Sequence, residues 1–91
     1  MTTVHNKYKD QYDVYIGRGS IFGNPYIIGT DGTREEVIDK YKDWFYNKLT
    51  ETSFKEAVLK LQHKKLGCFC KPKPCHGDII ADYLNNLQEN T

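Results

Sequence analysis

Two short strand-like segments lie on either side of a long helical stretch, and this arrangement constrains the fold more than any other feature. The segment Tyr12–Ile16 ends at a glycine, and the segment Leu66–Cys70 is a short apolar run bounded by lysines. Strands of one sheet that are joined by a helical crossover are normally parallel, with a right-handed connection. The sequence therefore predicts a β-α-β unit whose two strands end at the same edge of the sheet.

The stretch between these strands carries two helix-start signals. Thr33 and Glu36 have the spacing of a capping box, in which each side chain bonds the backbone N–H of the other residue. Apolar residues then recur at helical spacing, and a second box from Ser53 to Glu56 opens another helical pattern. We therefore expect two consecutive helices, with the break near residues 50–52.

The two ends of the chain complete the predicted fold. Residues 2–8 favour a short edge strand, and apolar residues from Ile79 to Leu87 mark a final amphipathic helix. With 91 residues, the chain has room for one domain, which we expect to span residues 1–91. The predicted fold class is α/β: a small single-domain sandwich with about three strands, a β-α-β crossover and about three helices.

Charge and cysteine content limit the compartment and the partners. Thirteen basic and twelve acidic residues give a formal net charge of +1, so no global field attracts nucleic acid. No apolar run approaches the roughly 20 residues of a membrane span. An odd number of cysteines, three, and the lack of a secretory signal favour reduced thiols and a cytoplasmic location. Self-association into a homodimer is one possible state of the chain, because small domains often self-associate to bury more surface.

The loop after the first crossover strand has the composition of an anion-binding loop. Gly17 and Gly19 allow the backbone to approach a ligand closely. The Arg18 guanidinium offers a planar fork for a phosphate or a carboxylate. Ser20 and Asn24 add hydroxyl and amide hydrogen-bonding groups. If the two strands are parallel, this loop faces the loop that follows the second strand, at the edge where α/β sheets bind ligands.

The facing loop contains Cys70 and leads into a helix that starts near Cys75. A cysteine at a helix N-terminus is expected to have a lowered pKa. If the protein is an enzyme, Cys75 acts as a thiolate, His76 as a general base and Asp78 as an acid/base partner. Asp78 also fits the role of a helix cap. The ligand-binding candidates of this loop are Cys70, Lys73 and Gly77.

Several uncommon motifs, in the same order, resemble one known family. They are Val14 to Ser20 (VYIGRGS), Phe22 to Pro25 (FGNP), Arg34 to Glu36 (REE), Leu66 to Pro72 (LGCFCKP) and Pro74 to Asp78 (PCHGD). They resemble the domain of unknown function 4326 family across nearly the whole chain. The resemblance implies an intracellular bacterial or phage protein, in the second case one acting in the host cell cytoplasm, and it implies no particular reaction.

Three functional interpretations follow from these features. The first is a small intracellular protein whose pocket binds an anionic, nucleotide-like molecule between the two loops and needs no cofactor. The second is a structural zinc module that uses Cys68, Cys70, Cys75 and His76, although their spacing departs from the usual zinc knuckle. The third, disfavoured by the near-neutral charge, is a nucleic-acid binder using the lysines of residues 60–73. Whether a reaction follows binding stays open.

Overall fold

The computed structural model describes residues 1–69 and 73–89, and this part of the chain forms a three-stranded sheet and three helices. The elements are β1 (Thr3–Asn6), β2 (Val14–Tyr15), α1 (Arg34–Lys48), α2 (Thr52–Leu59), β3 (Lys65–Cys68) and α3 (Gly77–Glu89). The α/β class predicted from the sequence is confirmed.

The sheet has the strand order β1-β3-β2, and both pairings with the central strand β3 are parallel. The predicted β-α-β crossover is therefore confirmed, with β2 and β3 as its strands. Strand β2 is shorter than the predicted Tyr12–Ile16. On its N-terminal side, the Lys65 N–H donates to the Asp13 carboxylate at 2.8 Å. At its other end, the Ile16 N–H still donates to the Gly67 carbonyl at 3.0 Å.

The two faces of the sheet differ in what covers them. Leu66 and Cys68 of β3 point toward the helices and belong to the buried core together with Ile16. Residues two apart in a strand share a face, so Gly67 and Phe69 lie on the opposite face. On that face the Tyr12 ring covers Gly67, and a Cβ atom on Gly67 would come within 2.6 Å of this ring.

The two helices of the crossover begin by different means. Helix α1 has the predicted capping box, because the Thr33 hydroxyl accepts the Glu36 N–H and the Glu36 carboxylate accepts the Thr33 N–H. The second predicted box is wrong: α2 begins after Glu51, which makes no side-chain cap bond, and Ser53 lies inside the helix. The predicted break near residues 50–52 is confirmed.

Within the described residues, no helix is long and apolar enough to cross a membrane.

Candidate functional site

The two predicted loops meet at one cleft beyond the carboxyl ends of β2 and β3. The cleft has a cavity volume of about 80 Å³ and lies between the N-terminal ends of α1 and α3. It is lined by Arg18, Asn24, Tyr26, Ile28, Arg34, Val37, Ile38, Pro74, Cys75 and His76. The parallel pairing of β2 with β3 brings these loops together, as the sequence predicts.

Both arginines of the chain line this cleft. They are Arg18, in the loop after β2, and Arg34, the first residue of α1. The Arg34 Nη1 atom donates a hydrogen bond to the Pro74 carbonyl at 3.3 Å, so this side chain spans from α1 to the loop before α3. A cation at a helix N-terminus is unfavourable with respect to the helix dipole. This unfavourable position is visible in the sequence and points to a role for Arg34, which is not among the predicted ligand-binding residues.

The loop of residues 17–25 holds its shape through its own short-range hydrogen bonds. The Ser20 hydroxyl donates to the Gly17 carbonyl at 2.7 Å and accepts the Phe22 N–H at 3.3 Å. The Asn24 side chain donates to the Val37 carbonyl at 3.2 Å and accepts the Tyr26 N–H at 2.9 Å. Asn24 therefore ties the loop to α1, and its polar atoms already have protein partners.

His76 forms the inner wall of the cleft and is 8% exposed. Its Nε2 atom lies 2.7 Å from the Ile16 carbonyl oxygen, and since a carbonyl only accepts, Nε2 carries the proton. Burial lowers the pKa of His76, and the positive charge of Arg18 lowers the pKa further, against the opposing effects of the Ile16 hydrogen bond and Asp78. The neutral ring therefore keeps its lone pair on Nδ1, which is the nitrogen available to accept a proton or a hydrogen bond.

The start of α3 has an arrangement similar to a capping box, in which a cysteine takes the place of serine or threonine and accepts the N–H two residues on instead of three. The Cys75 sulfur accepts the Gly77 N–H at 3.2 Å, and the Asp78 carboxylate accepts the Cys75 N–H at 3.1 Å. The capping role considered for Asp78 is therefore present in the structure. This box fixes where the helix starts and so places His76 against the cleft.

The predicted lowering of the Cys75 pKa is wrong. The Cys75 sulfur lies 3.0 Å from the Cys68 sulfur in the core, and Cys75 is only 2% exposed. The hydrogen bond between the two thiols and burial together raise the pKa of Cys75 and outweigh the opposite effect of the Gly77 N–H. Cys75 is thus a neutral thiol that fills space between β3 and α3, because the cost of burying a charge exceeds the effect of the helix start.

Several predicted ligand-binding residues shape the site without lining the cleft. Gly77 allows α3 to pack closely on the sheet, since a Cβ atom there would come within 2.6 Å of Ile16 Cδ1. Gly19 has a φ angle of +97°, which glycine adopts most readily. Lys73 is exposed, and Cys70 lies outside the described residues. The remaining predicted residues that shape the loop without lining the cleft are Gly17 and Ser20.

The structure also places the residues of the two alternative interpretations. In the part of the chain that is described, no three His, Cys, Asp or Glu residues come together as a metal-binding group. The basic segment of residues 60–73 is divided by β3. Lys64 and Lys65 lie at the beginning of this strand, whereas Lys73 follows its carboxyl end. The positive charges of these lysines therefore do not combine beside the cleft.

A larger cavity of about 420 Å³ lies on the other side of the loop of residues 17–25. It is lined by Ile21, Trp44, Lys48, Glu51, Ser53 and Phe54, and contains none of the predicted catalytic, ligand-binding or metal-binding residues. Its two charged groups, Lys48 and Glu51, form an ion pair at 3.1 Å. The candidate site is therefore the smaller cleft, where both arginines and His76 come together.

Comparison with known proteins places the chain in a family. Residues 2–86 match the model of a family described as "Domain of unknown function (DUF4326)". The chain is 46% identical over 86 residues to a protein of Enterobacteria phage T4, described as an uncharacterized 12.4 kDa protein in the nrdA-td intergenic region. The match covers 92% of this chain and 78% of the phage protein. No solved structure matches the chain. The chain belongs to the DUF4326 family.

Proposed function

We propose that this protein binds an anionic, nucleotide-like small molecule by its phosphate group, in the cleft between α1 and α3. The observation that carries this proposal is that the only two arginines of the chain, Arg18 and Arg34, line the same cleft. Arginine forms bidentate, charge-assisted hydrogen bonds with phosphate and carboxylate oxygens. The chain has eleven lysines but only two arginines, and both arginines line this cleft. Because a guanidinium group is planar and can form paired hydrogen bonds, this placement favours recognition of a planar or tetrahedral anion.

The other charges and dipoles around the cleft support the same ligand. None of the described residues that line it is acidic. The N-terminal ends of α1 and α3 both border it, and the positive end of a helix dipole favours an anion. Neutral His76 supplies Nδ1 as an acceptor, which suits a hydroxyl or a protonated phosphate oxygen.

The size of the cleft indicates which part of the ligand it takes. A cavity of about 80 Å³ has room for a phosphate-sized group. Sites that enclose a whole drug-sized ligand have volumes of about 300–1,000 Å³. The rest of the ligand would therefore lie outside the cleft. An anionic end on a larger organic body is the general form of a nucleotide.

A chemical step, if one follows binding, would use His76 rather than Cys75. Nδ1 of His76 carries a lone pair at a ring whose orientation is fixed by the Ile16 carbonyl, as a general base requires. The thiol of Cys75 is protonated and is already bonded to Cys68 and to the Gly77 N–H.

Titration calorimetry with ribose 5-phosphate tests the proposed phosphate site. We expect Arg18→Ala to weaken binding by roughly 10–100-fold, because hydrogen bonds to charged groups contribute about 1.5–3 kcal/mol each. Lys55→Ala, which removes the same charge from an exposed site on α2, is expected to leave the affinity unchanged. Equal weakening by both variants would mean that only overall charge matters, and unchanged binding in Arg18→Ala would reject the site.

The same titration, repeated with a metal chelator, separates the zinc interpretation from the anion site. The close approach of Cys68 and Cys75, 3.0 Å between their sulfurs, is the observation that favours a metal-binding role. A structural zinc ion contributes to folding, so its removal would lower both stability and binding. Because the anion site requires no metal, we expect the chelator to change neither the stability of the protein nor its affinity for ribose 5-phosphate.

A further inference from the structure

Three aromatic residues gather at the carboxyl edge of the sheet, one from the end of each strand. Tyr8 follows β1, Tyr15 ends β2 and Phe69 follows β3. The ring centroids of Tyr8 and Phe69 are 5.3 Å apart, and those of Tyr15 and Phe69 are 5.8 Å apart. Together these three rings form an edge aromatic cluster.

Two rings of the edge aromatic cluster are exposed although they are apolar, and the third, Tyr15, is partly buried. Tyr8 is 77% exposed and Phe69 is 45% exposed. Phe69 lies on the sheet face opposite the helices, where it is outside the main core. Exposed apolar residues that occur singly are ordinary, but a contiguous group of aromatic rings is typical of a binding surface.

A cation already lies over this cluster. The Lys7 Nζ atom is 4.5 Å from the Tyr15 ring centroid and 4.9 Å from that of Phe69. The cluster therefore presents aromatic rings together with one cationic hydrogen-bond donor. That combination suits a planar ligand that carries hydrogen-bond acceptors on its rim.

The edge aromatic cluster is connected to the cleft through the loop after β2. The Tyr15 hydroxyl donates to the Arg18 carbonyl at 2.9 Å, so the ring belongs to the cluster while its hydroxyl contacts the backbone of a cleft residue. A Cβ atom on Gly17 would come within 2.4 Å of the Tyr15 hydroxyl oxygen. The ring therefore packs directly against the loop that carries Arg18.

We propose that the edge aromatic cluster stacks the base of a nucleotide whose phosphate occupies the cleft of Arg18 and Arg34. The inference rests on the function proposed above and names the second half of the ligand. The base stacks on Phe69, with the tilted Tyr8 ring beside its edge, and Lys7 bonds an acceptor on the rim of the base. The ligand crosses the carboxyl edge of the sheet, with the loop of residues 17–25 beneath its sugar.

Comparing nucleoside monophosphates with ribose 5-phosphate isolates the contribution of the base. The titrations use the adenine, guanine, cytosine and uracil nucleotides, since aromatic stacking tolerates every base. We expect at least one of them to bind roughly tenfold more tightly than ribose 5-phosphate. Phe69→Ala should remove this advantage and leave the affinity for ribose 5-phosphate unchanged. Tyr46→Ala, which truncates an aromatic residue of similar exposure (43%) on α1, is the matched control and should keep the advantage.

The outcomes distinguish this inference from the proposal on which it rests. If ribose 5-phosphate binds through Arg18 but no nucleotide binds more tightly, the base platform is rejected and the phosphate site stands. If neither sugar phosphate nor nucleotide binds, both are rejected. A dimer that becomes a monomer in Phe69→Ala would show that the cluster is an interface between two copies, which also overturns the inference.

Discussion

Replacing Tyr41 by alanine is expected to remove most of the folding stability of the domain. Tyr41 is fully buried, and its ring packs against those of Phe45 and His76. Its hydroxyl donates to the Phe22 carbonyl at 2.7 Å. Truncating a buried aromatic ring costs about 3–5 kcal/mol. Small domains lie near the lower end of the usual stability of about 5–15 kcal/mol, so most of the folding free energy would be lost.

Urea denaturation followed by the fluorescence of Trp44, the chain's one tryptophan, measures this loss. Tyr41→Phe is the matched variant, because it keeps the ring and removes only the hydrogen bond to the Phe22 carbonyl. Leaving that carbonyl unpaired should cost about 1–3 kcal/mol. If Tyr41→Ala lost no more stability than Tyr41→Phe, Tyr41 would not be the packing centre that joins α1, the loop and His76.

The Gly23→Ala substitution is expected to abolish ligand binding while the helices and the sheet remain. A Cβ atom at Gly23 would come within 2.7 Å of the Gly17 carbonyl oxygen and 3.0 Å of Arg18 Cα. Both neighbours are backbone atoms, so the loop must open rather than rotate a side chain. Forcing extra volume into a packed site costs about 1–3 kcal/mol. The opening would move Arg18 away from Arg34, and the two cations would no longer meet at one phosphate.

Far-UV circular dichroism and titration with ribose 5-phosphate together test this substitution. We expect an unchanged helical signal and binding below detection at millimolar ligand. Gly67→Ala is a useful comparison, because the atoms nearest to its Cβ atom would belong to the ring of Tyr12, which is partly exposed and can shift. Normal binding by Gly23→Ala would show that the loop backbone does not position Arg18.

The path of the chain could largely be predicted from the sequence because it depends on short-range signals. The apolar run around Leu66 and the capping box at Thr33 predicted the crossover. The crossover in turn predicted the parallel sheet and the meeting of the two loops. The predicted box at Ser53 failed because the turn of residues 49–51 already leads directly into α2. Residues 70–72, and with them Cys70, lie outside the described part of the chain.

The chemistry of the site was less predictable, because it depends on burial and on contacts between distant residues. The sequence showed Cys75 at a helix start but not the Cys68 sulfur beside it, which reverses the direction of the pKa shift. Arg34 could be recognised by its unfavourable place in the first turn of α1. The edge aromatic cluster gave no sequence signal at all, since Tyr8 and Phe69 come from different strands and meet only through the sheet register.

Our central proposal is that a phosphate binds between Arg18 and Arg34, in the cleft that borders the start of α3. Amide chemical shifts in a two-dimensional nitrogen–proton NMR spectrum, recorded while ribose 5-phosphate is added, test it most directly. We predict saturable shifts in residues 17–24, 26, 34–38 and 75–78, with no comparable shift around the larger cavity at Trp44. Shifts centred on Trp44 and Phe54, or a spectrum that does not change at millimolar ligand, would contradict it.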